Sequence, residues 1–308
     1  MFLIKPTTMK KSLNLIFILI TLTVFSQTQN PNLEWEQTYG GSSSDILYST
    51  ITTSDGGYLL GGGTSSNDGD IQSGNHGSSD FWGVKIDSEG TIEWEQTYGG
   101  SDSESIRSTT STPDGGYLLG GNSNSNDGDI QSGNHGSSDF WVVKIDSVGT
   151  IEWEQTYGGS LFEGVYSIIT TPDGGYLLGG NSNSNDGDIQ SGNHGSSDFW
   201  VVKIDSVGTI EWEQTYGGSE SEYIKSTNLT NDGGYLLGGW SQSTDGDIQS
   251  GNHGLYDYWV VKINSEGTIE WEQTYGGSDM DYLTTTIPTS DGGYLLGGWS
   301  QSTDGDIQ

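Results

Sequence analysis

One string, EWEQTYGG, returns five times with its tryptophan at Trp35, Trp94, Trp153, Trp212 and Trp271, a constant period of 59 residues. Two further strings keep that period: DGGYLLGG from Asp55, Asp114, Asp173, Asp232 and Asp291, and DGDIQ from Asp68, Asp127, Asp186, Asp245 and Asp304. A repeat of this length demands a fold in which one supersecondary unit leans on copies of itself, because a single unit cannot bury its apolar surface alone. The copies are nearly identical, so recurrence records duplication as well as need and does not by itself mark a functional residue.

Each unit holds four strand signals, here taken from the second. Strand A is Ser105–Ser111, strand B Tyr117–Asn122, strand C Phe140–Asp146 and strand D Thr150–Tyr157. Strand D alternates, with Ile151, Trp153 and Tyr157 on one side and Glu152, Glu154 and Thr156 on a wet side. Strand C is apolar on both faces, Trp141, Val143 and Ile145 against Phe140, Val142 and the stem of Lys144, as in a sheet covered on both sides. Pro113-Asp114-Gly115-Gly116 joins A to B and Ser147-Val148-Gly149 joins C to D, both tight hairpins. The B–C connection, Ser123 to Asp139, is long.

The expected fold is therefore all-β: a propeller-like array of four-stranded antiparallel blades, stacked radially so that few edges are exposed. Burying a regular tryptophan such as Trp141 or Trp153 contributes up to about 4–6 kcal/mol on an area basis. A linear β-solenoid is the rival, but its coils repeat at roughly 20–30 residues with short strands. Five A, five B and five D strands face only four C strands, and the sequence stops inside the fifth B–C loop. A truncated product or fragment is expected, incomplete or open at its C-terminal end. The leading D strand, Leu33 to Tyr39, is available to close a ring onto the last blade.

Composition narrows function. There are 42 acidic residues against 9 basic ones, and three of the bases, Lys5, Lys10 and Lys11, precede the repeats. Such a surface repels nucleic acid and anionic lipid, which are bound by Lys and Arg. The 11 Trp, 16 Tyr and 7 Phe separate this chain from disordered acidic sequences. There is no Cys, which removes thiolate metal sites and Cys nucleophiles. Residues 1–26 read as an export signal, with Lys10 and Lys11 before the apolar Leu13–Phe25 and Ser26 at the cleavage site. Thirteen apolar residues fall short of the roughly 20 that span a bilayer. The mature domain is then residues 27–308, secreted or at the cell surface, with no membrane insertion once the signal is removed.

The second unit also carries Trp94, Gly99-Gly100-Ser101, Asp114 to Tyr117, Asp127 to Asp129, Gly133 to Gly136 and Asp139 to Asp146. In these strings the chain resembles repeat-rich secreted proteins of Bacteroidota, which often end in a type IX secretion sorting domain. The resemblance runs from Leu33 to the end. It implies secretion and an adhesive or carbohydrate-associated role, and the family mostly lacks an assigned activity.

Long loops after strands B and D are expected on one face, where binding residues gather on a rigid scaffold. Three candidates lie there. The DGD aspartates, Asp68 and Asp70, Asp127 and Asp129, Asp186 and Asp188, Asp245 and Asp247, Asp304 and Asp306, set oxygens at alternate positions as calcium loops do. They depart from an EF-hand in the place of Gly133 and in lacking a twelfth-position Glu, and Asp residues equally cap turns. The four histidines, His76, His135, His194 and His253, share one slot and read as loop packing rather than zinc ligands. Strand B ends in Trp240 and Trp299 in the last two units, where earlier units have Gly63, Asn122 and Asn181. With Tyr256 they form a candidate sugar-stacking or loop-packing group. No G-x-S-x-G elbow or spaced acid pair in a cleft is present, and Glu152 and Glu154 are expected to be solvated. The leading expectation is a non-enzymatic interaction or adhesion scaffold for an extracellular protein or glycan, with no cofactor unless calcium. The alternative is a carbohydrate-binding or glycoside-hydrolase accessory module.

Overall fold

The computed structural model describes residues 2–4 and 33–306. Of the expected signal, residues 5–26, including Lys10, Lys11, Leu13–Phe25 and Ser26, lie outside the described residues. The described chain is all-β. After β1 (Phe2–Ile4) and β2 (Leu33–Glu36) come four sheets of four strands. Blade 1 is β3 (Asp45–Thr52), β4 (Tyr58–Thr64), β5 (Asp80–Ile86) and β6 (Ile92–Tyr98). Blade 2 is β7 (Glu104–Ser111), β8 (Tyr117–Ser123), β9 (Asp139–Ile145) and β10 (Ile151–Tyr157). Blade 3 is β11 (Glu163–Thr170), β12 (Tyr176–Ser182), β13 (Asp198–Ile204) and β14 (Ile210–Tyr216). Blade 4 is β15 (Glu222–Leu229), β16 (Tyr235–Ser241), β17 (Asp257–Ile263) and β18 (Ile269–Tyr275), and a fifth sheet holds β19 (Asp281–Pro288) and β20 (Tyr294–Ser300). Every pairing between these strands is antiparallel and joins chain neighbours, a meander in the order expected for strands A to D.

The A–B hairpin turns on a glycine whose φ of about +89° only a residue without Cβ adopts readily, Gly115 in blade 2. Asp114 accepts the N–H of Gly116 at 3.1 Å and reaches Lys144 at 3.0 Å. Lys144 also meets Glu152 at 2.5 Å, and its side chain is only 3% exposed. The same clamp recurs at Lys85, Lys203 and Lys262. A buried ammonium costs several kcal/mol in order-of-magnitude terms unless paired, and here two carboxylates neutralise it.

Successive sheets pack face to face, and the seam contacts between blades run through the A strand of the later blade. Strand A is thus innermost and strand D outermost. The seam forms because strand B is glycine-rich where strand A must approach: a Cβ at Gly61 would lie 2.5 Å from Thr109 Cγ2. On strand C, Trp141, Val143 and Ile145 pack with blade 1, and Phe140 and Val142 pack with blade 3. Phe140 and Trp200 sit 4.5 Å apart between ring centroids, and Phe199 and Trp259 4.8 Å. Strand D reaches across too: Trp94 Nε1–H donates to the Ser147 carbonyl at 3.0 Å and Tyr98 O–H to the Gly149 carbonyl at 2.6 Å. Trp141 is fully buried, whereas Trp94 and Trp153 are half-buried at the outer edge.

The array is propeller-like and not closed. Leu47 is 50% exposed, whereas its counterparts Ile106, Val165, Ile224 and Leu283 are fully covered by the preceding blade. The array is open, as expected, and the leading D strand does not join the last blade. β2 pairs with β1, Phe2 opposite Glu36 and Ile4 opposite Leu33, and is held on blade 1 by Trp35 donating to Ser88 and Tyr39 to Gly90. β19 and β20 pair only with each other.

Candidate functional site

The long loops form one hydrogen-bonded rim. Within a blade, the DGD turn binds the glycines that lead into strand A. Asp127 Oδ1 accepts Ser101 N–H at 2.7 Å and Asp129 Oδ2 accepts Gly99 N–H at 3.1 Å. Asp68 and Asp70, Asp186 and Asp188, and Asp245 and Asp247 repeat this on their own turns, and Asp304 caps Ser278. In Asp306 the backbone N–H bonds the Gly276 carbonyl. The backbone N–H of Ser42, Ser160, Ser219 and Ser278 draws Asp68, Asp186, Asp245 and Asp304 below the usual carboxylate range. These carboxylates therefore close turns. Among the described residues no group of three or more His, Cys, Asp or Glu side chains is disposed to hold a metal.

Between blades the rim is continuous. Ser78 N–H donates to the Asp102 carbonyl at 2.8 Å and Glu104 N–H to the Ser79 carbonyl at 2.6 Å. Each histidine packs locally: His76 Nδ1 lies 2.6 Å from Asp80 Oδ2, with the same pairing at His135–Asp139, His194–Asp198 and His253–Asp257. The aspartate of each pair is fully buried at the seam, near the first acid of the next strand A: a Cβ on Gly99 would touch both Glu104 Oε2 and Asp80 Oδ1. Burial raises the pKa of Asp80, Asp139, Asp198 and Asp257, and burial plus the neighbouring aspartate raises Glu104, Glu163 and Glu222.

The face of strand D expected to be wet is partly covered, with the Glu152 side chain still 45% exposed. The B–C loop folds down over it, so Glu154 accepts Ser132 N–H at 2.8 Å and Trp141 Nε1–H at 2.9 Å, while Glu152 holds Lys144. Glu154 thus ties the Trp141 indole and the loop amide of Ser132 to strand D, and Glu152 ties the Lys144 ammonium. The carbonyl of Gly133 accepts the Thr156 hydroxyl in the same cover.

One set of rim residues is not absorbed by the scaffold. In blade 4 and the fifth sheet, Tyr223 pairs in register with Trp240, and Tyr282 with Trp299. Both pairs stack, at 4.5 and 4.4 Å between centroids. Within blade 4 Trp240 meets Tyr256 edge-on at 4.8 Å, and across the seam Tyr282 lies 5.1 Å from Trp240 and 5.0 Å from Tyr256. The structure thus brings together the three expected residues, Trp240, Trp299 and Tyr256. It adds Tyr223 and Tyr282, each lying in a variable segment whose cross-strand partner is visible only in the register. Trp299 ends the arc, 47% exposed. In earlier blades the same register pairs are Ile46–Gly63, Ser105–Asn122 and Gly164–Asn181.

No protein-family model matches the chain, and no curated protein matches it. Among solved structures it is similar to the WD40 domain of Pan2 from Neurospora crassa, at 11% identity over 86% of this chain and 92% of that one, TM-score 0.38. A mannose phosphorylase from Leishmania mexicana is similar at 11% identity over 86% and 85%, TM-score 0.41. A protein of unknown function from Bacteroides caccae is similar at 12% identity over 79% and 85%, TM-score 0.33.

Proposed function

We propose that this protein is a non-enzymatic, secreted or surface-held binding scaffold, and that its contact surface is the aromatic arc Tyr223–Trp240–Tyr256–Tyr282–Trp299 on the loop rim. The observation that carries the reading is the break in the repeat. Where earlier units place Ile46–Gly63, Ser105–Asn122 and Gly164–Asn181, the last two place stacked Tyr–Trp pairs. Aromatic residues give large contact area at little conformational cost and dominate recognition surfaces. The rim beneath is tied by backbone bonds, so the arc is preorganised. Trp299→Ala should abolish binding of the immobilised chain to an array of extracellular proteins. Binding unchanged in Trp299→Ala and in Tyr282→Ala would remove the reading.

A second reading, carbohydrate binding, is favoured by the exposed face of Trp299, on which the apolar face of a sugar ring can stack. A glycan array probed with wild type and with Trp299→Ala separates the two. Glycan signals lost in the variant select the sugar, and an empty glycan array with a surviving protein signal selects the protein partner.

A further inference from the structure

The inner strand of every unit carries a bulge at the same place. One residue, Tyr48, Arg107, Tyr166, Lys225 or Thr284, stands unpaired between two register pairs. Bulges re-aim the side chain they carry and concentrate beside functional sites. The residue here differs between neighbouring units, while the strand B glycines it faces are the same in all. Because strand A is innermost, the bulged residues line the inner side of the array, where cations alternate with aromatic rings along the blades and pack on them in two pairs. The Arg107 guanidinium lies 4.1 Å from the ring centroid of Tyr48. The Lys225 ammonium lies 3.9 Å from that of Tyr166 and 5.9 Å from that of Tyr223.

The charge pattern is unusual for this molecule. Four of the lysines in the repeats, Lys85, Lys144, Lys203 and Lys262, are each held by two carboxylates. Arg107 and Lys225 are the remaining bases of the repeats, in a chain with 42 acidic residues. Among the described residues neither forms an ion pair or a hydrogen bond. Burial and the charge of Arg107 both push the Lys225 ammonium below its ordinary pKa, so the two cations repel each other in a partly desolvated place. Ring faces offset part of that repulsion but leave the N–H donors without acceptors.

We propose that this axial cluster binds an oxyanion, a carboxylate or sulfate group on a compact polar ligand, held by Arg107 and Lys225 between the rings of Tyr48, Tyr166 and Tyr223. A guanidinium fork takes two oxygens of such a group side by side. The ammonium supplies a second positive charge, and the bound anion relieves the repulsion between the cations. The site uses different residues from the aromatic arc and stands if that reading fails.

Calorimetric titration of the full chain at low ionic strength, with sodium sulfate and separately with sodium galacturonate, tests the site and identifies the group it takes. Binding of either should weaken roughly tenfold or more in Arg107→Gln and in Lys225→Gln, and persist in Lys225→Arg. Melting curves of the variants check their folding. In the wild-type chain, which needs no variant, the saturating ligand should slow acylation of Lys225 as read by mass spectrometry. Absence of binding by both probes, unchanged binding in the Arg107→Gln/Lys225→Gln double variant, or undiminished acylation of Lys225 would each overturn the proposal. Oxyanion binding that survives Trp299→Ala would show that this site and the arc are separate.

Discussion

The ring of Phe81 lies 4.5 Å from the indole of Trp141, in the seam between the first two blades, and the contact repeats at each later seam that has both partners. Each Phe on strand C fills the back of its own blade and supports the Trp of the next, so neighbouring blades are energetically coupled. Stability in such an array is approximately a sum of unit and nearest-neighbour terms.

Phe140→Ala should accordingly destabilise by about 3–5 kcal/mol, the range for truncating a buried aromatic. Tyr258→Ala, at the same register position but partly exposed, should cost clearly less. Urea unfolding followed by tryptophan fluorescence compares them, and equal losses would argue against seam coupling.

Stability should peak at mildly acidic rather than neutral pH. The seam carboxyls, Asp139 and Glu163 among them, have folded pKa values raised by burial. Their contribution is present below the unfolded values of about 4 and lost as pH rises through the raised ones. The clamp aspartates behave oppositely: Asp114, Asp173 and Asp232 are lowered to about 2. Their contribution is present above the unfolded value and lost as pH falls towards about 2. Melting temperature against pH should therefore show a maximum between these windows. Asp139→Asn with Glu163→Gln should flatten the neutral side.

Trp240 and Trp299 should separate stability from binding. Trp240 is enclosed by Tyr223, Tyr256 and Tyr282, so Trp240→Ala should lower the melting temperature measurably. Trp299→Ala, which loses one stacked ring contact and is half exposed, should cost clearly less, on the order of 1 kcal/mol. Thermal melting of both variants checks this.

The DGD carboxylates already accept backbone N–H groups, so adding calcium or a chelator should leave the melting temperature unchanged. Removing one carboxylate should matter instead: Asp127→Ala leaves Ser101 N–H without its acceptor and should cost about 1 kcal/mol. A melting temperature that rises with calcium would return these aspartates to metal binding.

Much of the architecture was legible in the residues. Strand C reads as apolar on both faces, and it is the middle of a seam on each side. The hairpins at Asp114-Gly115 and Val148-Gly149 lie where turn chemistry puts them. Trp240, Trp299 and Tyr256 stand out as breaks in a repeat and come together in space. The partners of Glu154 were not legible, because the loop that covers it touches strand D from more than twenty residues away without a periodic signal. The Arg107 and Lys225 cluster was hidden for a related reason. A bulge shifts one residue out of the alternation from which facing is inferred.

Local chemistry alone set the period, the four strands of each unit, their two-faced or one-faced character and the turns between them, since alternation and turn residues act over a few positions. Tertiary structure alone decided which carboxylates are buried against one another, which loop covers which strand, and which cations lie on aromatic rings. Those depend on how one sheet sits on the next, and contacts between units a full repeat apart leave no pattern along the chain.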